Sequence, residues 1–189
     1  QGTFWVNLPD FGSSVGTLQL QRGVGTSTNG AGAFGASINL TTDRKSESAY
    51  VQLGNSFGSF ATRKHTVMFS TGPISDRFEL SGRLSKIDSD GYIERASSDL
   101  KSYFLQGIFR EGNTQIKALA FGGFERTYQS WFGIDGTTLA TDRTYNPAGE
   151  NYDSDGNVIG FYEDQVDNYN QDHYQLHWEQ GINAYWSLA

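Results

Sequence analysis

"RFELSGRLSK", residues 77–86, sets Phe78, Leu80, Gly82 and Leu84 against Glu79, Ser81, Arg83 and Ser85. A strict two-residue period belongs to a strand, whose successive side chains point to opposite faces. Runs of the same texture recur along the chain. "SAYVQLGNSF" (48–57) places Ala49, Val51 and Leu53 on one face, and "RKHTVMFSTG" (63–72) offers Val67 and Phe69. "DHYQLHWEQ" (172–180) sets Tyr174, Leu176 and Trp178 against His173, Gln175, His177 and Glu179, while "SYFLQGIFR" (102–110) and "TQIKALAFGGFER" (114–126) have mixed faces. Runs of about ten residues exceed the usual five or six of a globular strand. They approach the nine to eleven that cross a bilayer.

The connections alternate as well. "GPISDR" and "EGNT" are short turns at one end. "KIDSDGYIERASSD" and residues 127–170 are long at the other, with the "GSF" tip at 58–60 as a short exception. Short turns on one side and long loops on the other is the layout of an outer-membrane barrel, in which charges such as Arg83 and Glu179 belong on the lumen face. An alternating sheet that packs on a core satisfies the same period.

Composition narrows the classes. The 189 residues include 23 Gly, 3 Pro, 1 Met and no Cys, with 14% aromatics. That mixture suits β-structure with many tight bends and excludes a disulfide framework or a thiolate metal site. No run of about 18 apolar residues exists, so no transmembrane helix is expected; barrel strands average to polar and escape that test. The chain opens on "QGTFWVNLPD" without a basic and apolar leader. Residues 127–170 carry eight acids and one base, Arg143, so the whole formal charge of −7 resides there. Such a block disfavours a nucleic-acid partner.

The Gly-rich stretch 21–40 contains "GAGAFG", a literal dinucleotide fingerprint, but "ASINLTTD" follows it with no helical period. Its glycines are better read as backbone freedom where a strand turns. The segment "FWVNLPDFGSSVGTLQLQRGVGTSTNGAGAFGASINLTT" (4–42) resembles the C-terminal end of the plug domain of TonB-dependent outer-membrane receptors. The pair Arg22–Gly23, the Gly-rich turn and the closing "INL" strand carry the likeness. "RLSKIDSDGYIERASSDLKSYFLQG" (83–107), "RTYNPAGE" (143–150) and "DNYNQDHYQLHWEQ" (167–180) are similar to the first barrel strands of the same receptors, especially those of Bacteroidota-like bacteria.

The resemblance implies an all-β fold: a fragment of a large antiparallel transmembrane β-barrel of about twenty-two strands with the end of its internal plug. Residues 1–42 would be the C-terminal part of the plug. Residues 43–189 would be the first six or so strands and the start of a seventh, with a long acidic extracellular loop at about 127–170. It further implies a bacterial outer-membrane location and active uptake of a scarce nutrient: an iron–siderophore complex, haem or cobalamin, sometimes a glycan. TonB would energise it through a segment absent from this chain. The other partners are the nutrient, outer-membrane lipid and the rest of the same barrel, with no enzyme activity and no cofactor. The alternative reading is a secreted or surface β-rich glycan-binding module.

Candidate sites are few. The aromatics of the long loop, Tyr128, Trp131, Phe132 and Tyr145 foremost, are the expected ligand contacts by stacking or apolar contact. "NYDSDGNVIGFYE" (151–163) has EF-hand-like spacing and makes Asp153, Asp155 and Glu163 the candidate metal ligands; Tyr162 stands where the bidentate Glu belongs, and an Asp-Gly turn is the plainer reading. "GSSVG" (12–16) matches a nucleophile elbow around Ser14 but lacks the helix after it. His173 and His177, four apart on a strand, lie about 13 Å from each other at ~3.3 Å per residue, too far to share a metal.

Overall fold

The computed structural model describes residues 7–23, 35–42, 46–182 and 186–188. The fold is all-β, with every strand pairing antiparallel. Six long strands and one short one form a seven-stranded meander: β3 (Tyr50–Phe57), β4 (Arg63–Ser70), β5 (Phe78–Ser89), β6 (Ser98–Glu111), β7 (Thr114–Tyr128), β10 (Val166–Gly181) and β11 (Ser187–Leu188). A separate hairpin of β1 (Thr17–Arg22) and β2 (Ala36–Thr41) precedes it, and a small hairpin of β8 (Glu150–Tyr152) and β9 (Val158–Phe161) lies in the long loop beside the six-residue helix α1 (Gly136–Thr141). No described helix is long and apolar enough to cross a membrane. The "GAGAFG" stretch lies almost wholly outside the described residues. Gly23, at the end of β1 seven residues before that string, takes φ +78°, a left-handed conformation natural to glycine.

Strand register sorts the sheet into two faces. One row crosses six strands as Gln52, Met68, Arg83, Phe104, Phe121 and His173. The residues beside it along each strand belong to the other face, where the next rows are Val51–Phe69–Gly82–Leu105–Ala120–Tyr174 and Leu53–Val67–Leu84–Tyr103–Gly122–Asp172.

The burial of these faces inverts the usual order. Glu79, Arg83, Ser85, Ser102, Gln106 and Glu125 on the first face are buried. Val51, Leu53, Leu84, Tyr174 and Leu176 on the second are more than half exposed. Charged and amide side chains are ordinarily the last to be buried, so a sheet that covers them and leaves leucines open is unusual. We call the two the covered face and the open face.

The N-terminal segment covers the middle of the first face. A 3-10 turn at Phe11–Ser14 lays Leu8 and Phe11 against the buried cluster Phe104, Leu119 and Phe121. Phe11 and Phe121 stand 5.0 Å apart, and Phe121 stacks on His173 at 4.9 Å with 13° between the rings.

Two successive glycines of β7 make room on opposite faces. A Cβ on Gly123 would lie 2.7 Å from Pro9 of the N-terminal segment, so that glycine lets the segment sit on the sheet. A Cβ on Gly122 would lie 2.5 Å from the Asp172 carboxylate. On the open face the Tyr103 hydroxyl donates to that carboxylate at 2.8 Å, reaching from β6 to β10 across the space Gly122 leaves.

Candidate functional site

Two polar assemblies stand out. The first joins the N-terminal segment to the covered face. Arg83 Nη1 donates to Asp10 Oδ2 at 2.9 Å and to Ser102 Oγ at 3.1 Å, while its Nε donates to Ser14 Oγ at 2.8 Å. Asp10 also accepts from Lys64 Nζ at 2.7 Å, from Ser85 Oγ at 2.5 Å and from Ser13 Oγ at 2.5 Å. Side-chain exposure is 2% for Arg83 and 9% for Asp10. Burial pushes the Asp10 carboxyl up, but the bonds from Lys64, Ser13 and Ser85 and the charge of Arg83 outweigh it and hold the group below the ordinary aspartate range. Ser14, the residue of the elbow-like motif, accepts from Arg83 and is followed by a strand where an elbow requires a helix.

The second assembly is the long connection between β7 and β10, residues 129–165. Its ends are tied by Gln129 N donating to Gln165 O at 2.9 Å. Asn146 anchors its middle. This side chain is 1% exposed; its Nδ2 donates to Glu94 O at 2.9 Å and Gln129 O at 3.0 Å, and its Oδ1 accepts from Ala148 N at 3.0 Å. Arg95, from the neighbouring loop 90–97, donates to the carbonyls of Asn146 and Ala148 and lays its guanidinium 3.6 Å over the Phe161 ring. The motif "YNPAGE" is thus a knot that fastens the long loop to its neighbour. Asn-Pro in the sequence signals a turn; nothing local signals that Arg95 closes it.

Of the four expected ligand aromatics, two are committed to this scaffold. Tyr128 donates to Tyr162 O at 2.9 Å and to Ala148 O at 3.2 Å. Tyr145 donates to Glu150, which also accepts from Tyr152, and that bond pushes the Tyr145 phenol up to about 12. Trp131 and Phe132 remain open at 77% and 56% exposure, their rings edge to face at 6.2 Å.

The metal candidates are not brought together. Among the described residues no three His, Cys, Asp or Glu side chains gather where they could hold an ion. Asp153 turns its carboxylate on its own hairpin, accepting from the amides of Asp155 at 3.0 Å and Asn157 at 2.8 Å. Those bonds, the Asn157 amide first, hold its carboxyl below the usual range. The EF-hand-like spacing here builds an Asp-Gly turn between β8 and β9.

Beneath the loop lies an open cleft of about 540 Å³ lined by Arg95, Arg126, Tyr128, Phe161, Tyr162 and Glu163, among others. The loop's own sequence holds a single base, yet the fold delivers two arginines to this cleft from outside the acidic block. No protein-family model matches the chain, and no curated protein sequence matches it.

Proposed function

We propose that this chain is part of a TonB-dependent outer-membrane receptor: a stretch of barrel wall with the end of the plug packed on its lumen side. The receptor would take up a scarce nutrient, most simply a metal chelate such as an iron–siderophore complex, haem or cobalamin, driven by TonB. One observation carries this reading. The sheet buries Glu79, Arg83 and Gln106 on one face, where upstream residues reach all three (Ser46 to Glu79, Asp10 and Ser14 to Arg83, Thr42 to Gln106), while Leu53, Leu84, Tyr174 and Leu176 stay open on the other. In water that arrangement leaves apolar area unburied; in a bilayer it is the favourable one, because lipid tails cover the open face and the polar residues face a wet lumen.

The alternating connections agree. Turns 71–77 and 112–113 lie at one end of the sheet; loops 58–62, 90–97 and 129–165 lie at the other. Across the first end, the open-face row Phe78–Phe109–Ile116–Trp178 supplies the aromatic girdle expected at a membrane boundary. The unpaired edges of β3 and β11 would be closed by further strands of the same barrel.

The exposed Trp131–Phe132 pair favours a second reading, a surface glycan-binding module that stacks sugars on aromatics. Extraction of the intact protein decides between them. The receptor partitions with the outer membrane, needs detergent, and migrates faster on a gel before heating than after. A module that stays folded and monomeric without detergent would overturn the receptor reading. Mass spectrometry of co-purified small molecules would name the nutrient.

A further inference from the structure

Four of the chain's cations meet on one patch of the open face, at the long-loop end. Along β5 the open face runs Leu84, Lys86, Asp88; along β6, read in the same direction, it runs Tyr103, Lys101, Asp99. Each strand thus passes from an apolar or aromatic residue to a lysine and then to an aspartate. Arg63 on β4 and Arg126 on β7 flank the aspartates in one register row, Arg63–Asp88–Asp99–Arg126. Lys86 Nζ lies 3.1 Å from Asp88, and Lys101 Nζ lies 3.9 Å from Asp99 and 5.5 Å from the centre of the Phe124 ring. Neither arginine makes an ion pair within 4.0 Å among the described residues. Four cations against two aspartates leave the patch net positive in a chain of formal charge −7, and Arg126 continues into the cleft lined by Arg95 and Tyr128 together with the acids Asp90 and Glu163.

We propose that this rim binds the phosphate headgroup of an anionic membrane lipid. The site rests on the membrane reading above and deepens it. Headgroup phosphates lie just beyond the hydrocarbon layer. A lysine two positions past the last apolar row can lay its methylenes along that row and lift its ammonium to the phosphate. Arg126 adds a planar fork suited to a phosphate, with the apolar ring of Phe124 two positions toward the apolar rows and Tyr128 two positions beyond. Asp88 and Asp99 stand in the arginines' own row, one step beyond the lysines. Each pairs with the lysine of its own strand, which leaves the charge of Arg63 and Arg126 as the excess.

The test uses the intact protein purified in detergent and offered phosphatidylglycerol, phosphatidylcholine or inorganic phosphate, with bound species counted by native mass spectrometry. Wild type should retain phosphatidylglycerol over phosphatidylcholine and ignore inorganic phosphate. Lys101→Gln and Arg126→Gln should each lower that preference about fivefold, and raised salt should erode it. Arg143→Gln, a loop cation outside the patch, should leave it unchanged. Equal retention of the two lipids by wild type, or an unaltered preference in Lys101→Gln/Arg126→Gln, overturns the site while leaving the membrane reading intact. A protein that needs no detergent overturns both.

Discussion

Arg83 and Asp10, 73 residues apart in sequence, meet at 2.9 Å in a setting where neither side chain is more than a tenth exposed. A buried guanidinium stripped of its carboxylate is an uncompensated charge, which costs about 3–5 kcal/mol, whereas replacing the whole pair with apolar groups can be close to neutral. Asp10→Ala should therefore loosen the N-terminal segment by about that amount, read as a lower denaturation midpoint and faster proteolysis of residues 7–23. Asp10→Ala/Arg83→Met should recover much of the loss. Additive losses in the double variant would mean that the two residues act separately.

The same carboxylate sets an acid limit. Its folded pKa is held below the unfolded value of about 3.9. A depressed carboxyl stabilises the fold fully above the unfolded value, and this contribution disappears as pH falls through the folded one. The segment should stay docked from neutral pH down to about 4 and release below it, followed as amide exchange of residues 7–23. Asp10→Asn should lack that transition. Equal acid release in the variant would assign it to another group.

Leu176 separates a lipid from a water environment. It is 75% exposed on the open face, and its neighbour Gln175 points to the covered side. In a bilayer Leu176→Arg should cost about 2–4 kcal/mol and sharply reduce assembled protein, while Gln175→Arg is tolerated. In water Leu176→Arg would change stability by no more than about 0.5 kcal/mol. The amounts of the two variants in the membrane fraction give the answer.

Gly122→Ala should harm more than Tyr103→Phe. The phenylalanine variant removes one hydrogen bond to Asp172, worth about 0.5–1.5 kcal/mol. The alanine variant drives a Cβ to within 2.4 Å of the Gln171 carbonyl, so β10 must shift, an overpacking cost of about 1–3 kcal/mol. Thermal midpoints of the two variants rank the effects; the reverse order would deny Gly122 its spacing role.

Asn146→Ala removes three hydrogen bonds from a buried position, and should open the long loop while leaving the sheet intact. Limited proteolysis should cut within 129–165 sooner, with no change in the thermal midpoint of the sheet. A lowered midpoint would make the knot part of the sheet's own stability.

What the sequence revealed follows from range. The alternation in 77–86 depends on neighbouring residues alone, so the separation of Leu84 from Arg83 onto opposite faces was legible at once. That Arg83 belongs on the inner face was an expectation of the same alternation, but the residues that meet it there, Asp10 and Ser14, arrive from far upstream and were not local information. Counting charge by segment concealed Arg95 and Arg126, which reach the acidic loop through space. The "GG" of β7 looks like weakness in a strand until both faces are known. Asp135 shows the opposite case: as N-cap it accepts from the amides of Thr137 at 2.8 Å and Thr138 at 3.0 Å, and "DGTT" holds everything needed to start that short helix.

The bond between Gln129 and Gln165 lets the sheet's ladder run past the end of β7 before the chain departs, so the insert leaves and returns at nearly one point. Loop closure becomes only slowly costlier with length, about 0.6 kcal/mol per doubling, and this insert is roughly three doublings longer than the five-residue turn at 58–62. It also brings its own helix, hairpin and knot. Such a segment can be lengthened, shortened or exchanged for another without re-registering β7 against β10. New surface chemistry could then be grafted here while the strands beneath keep their pairing.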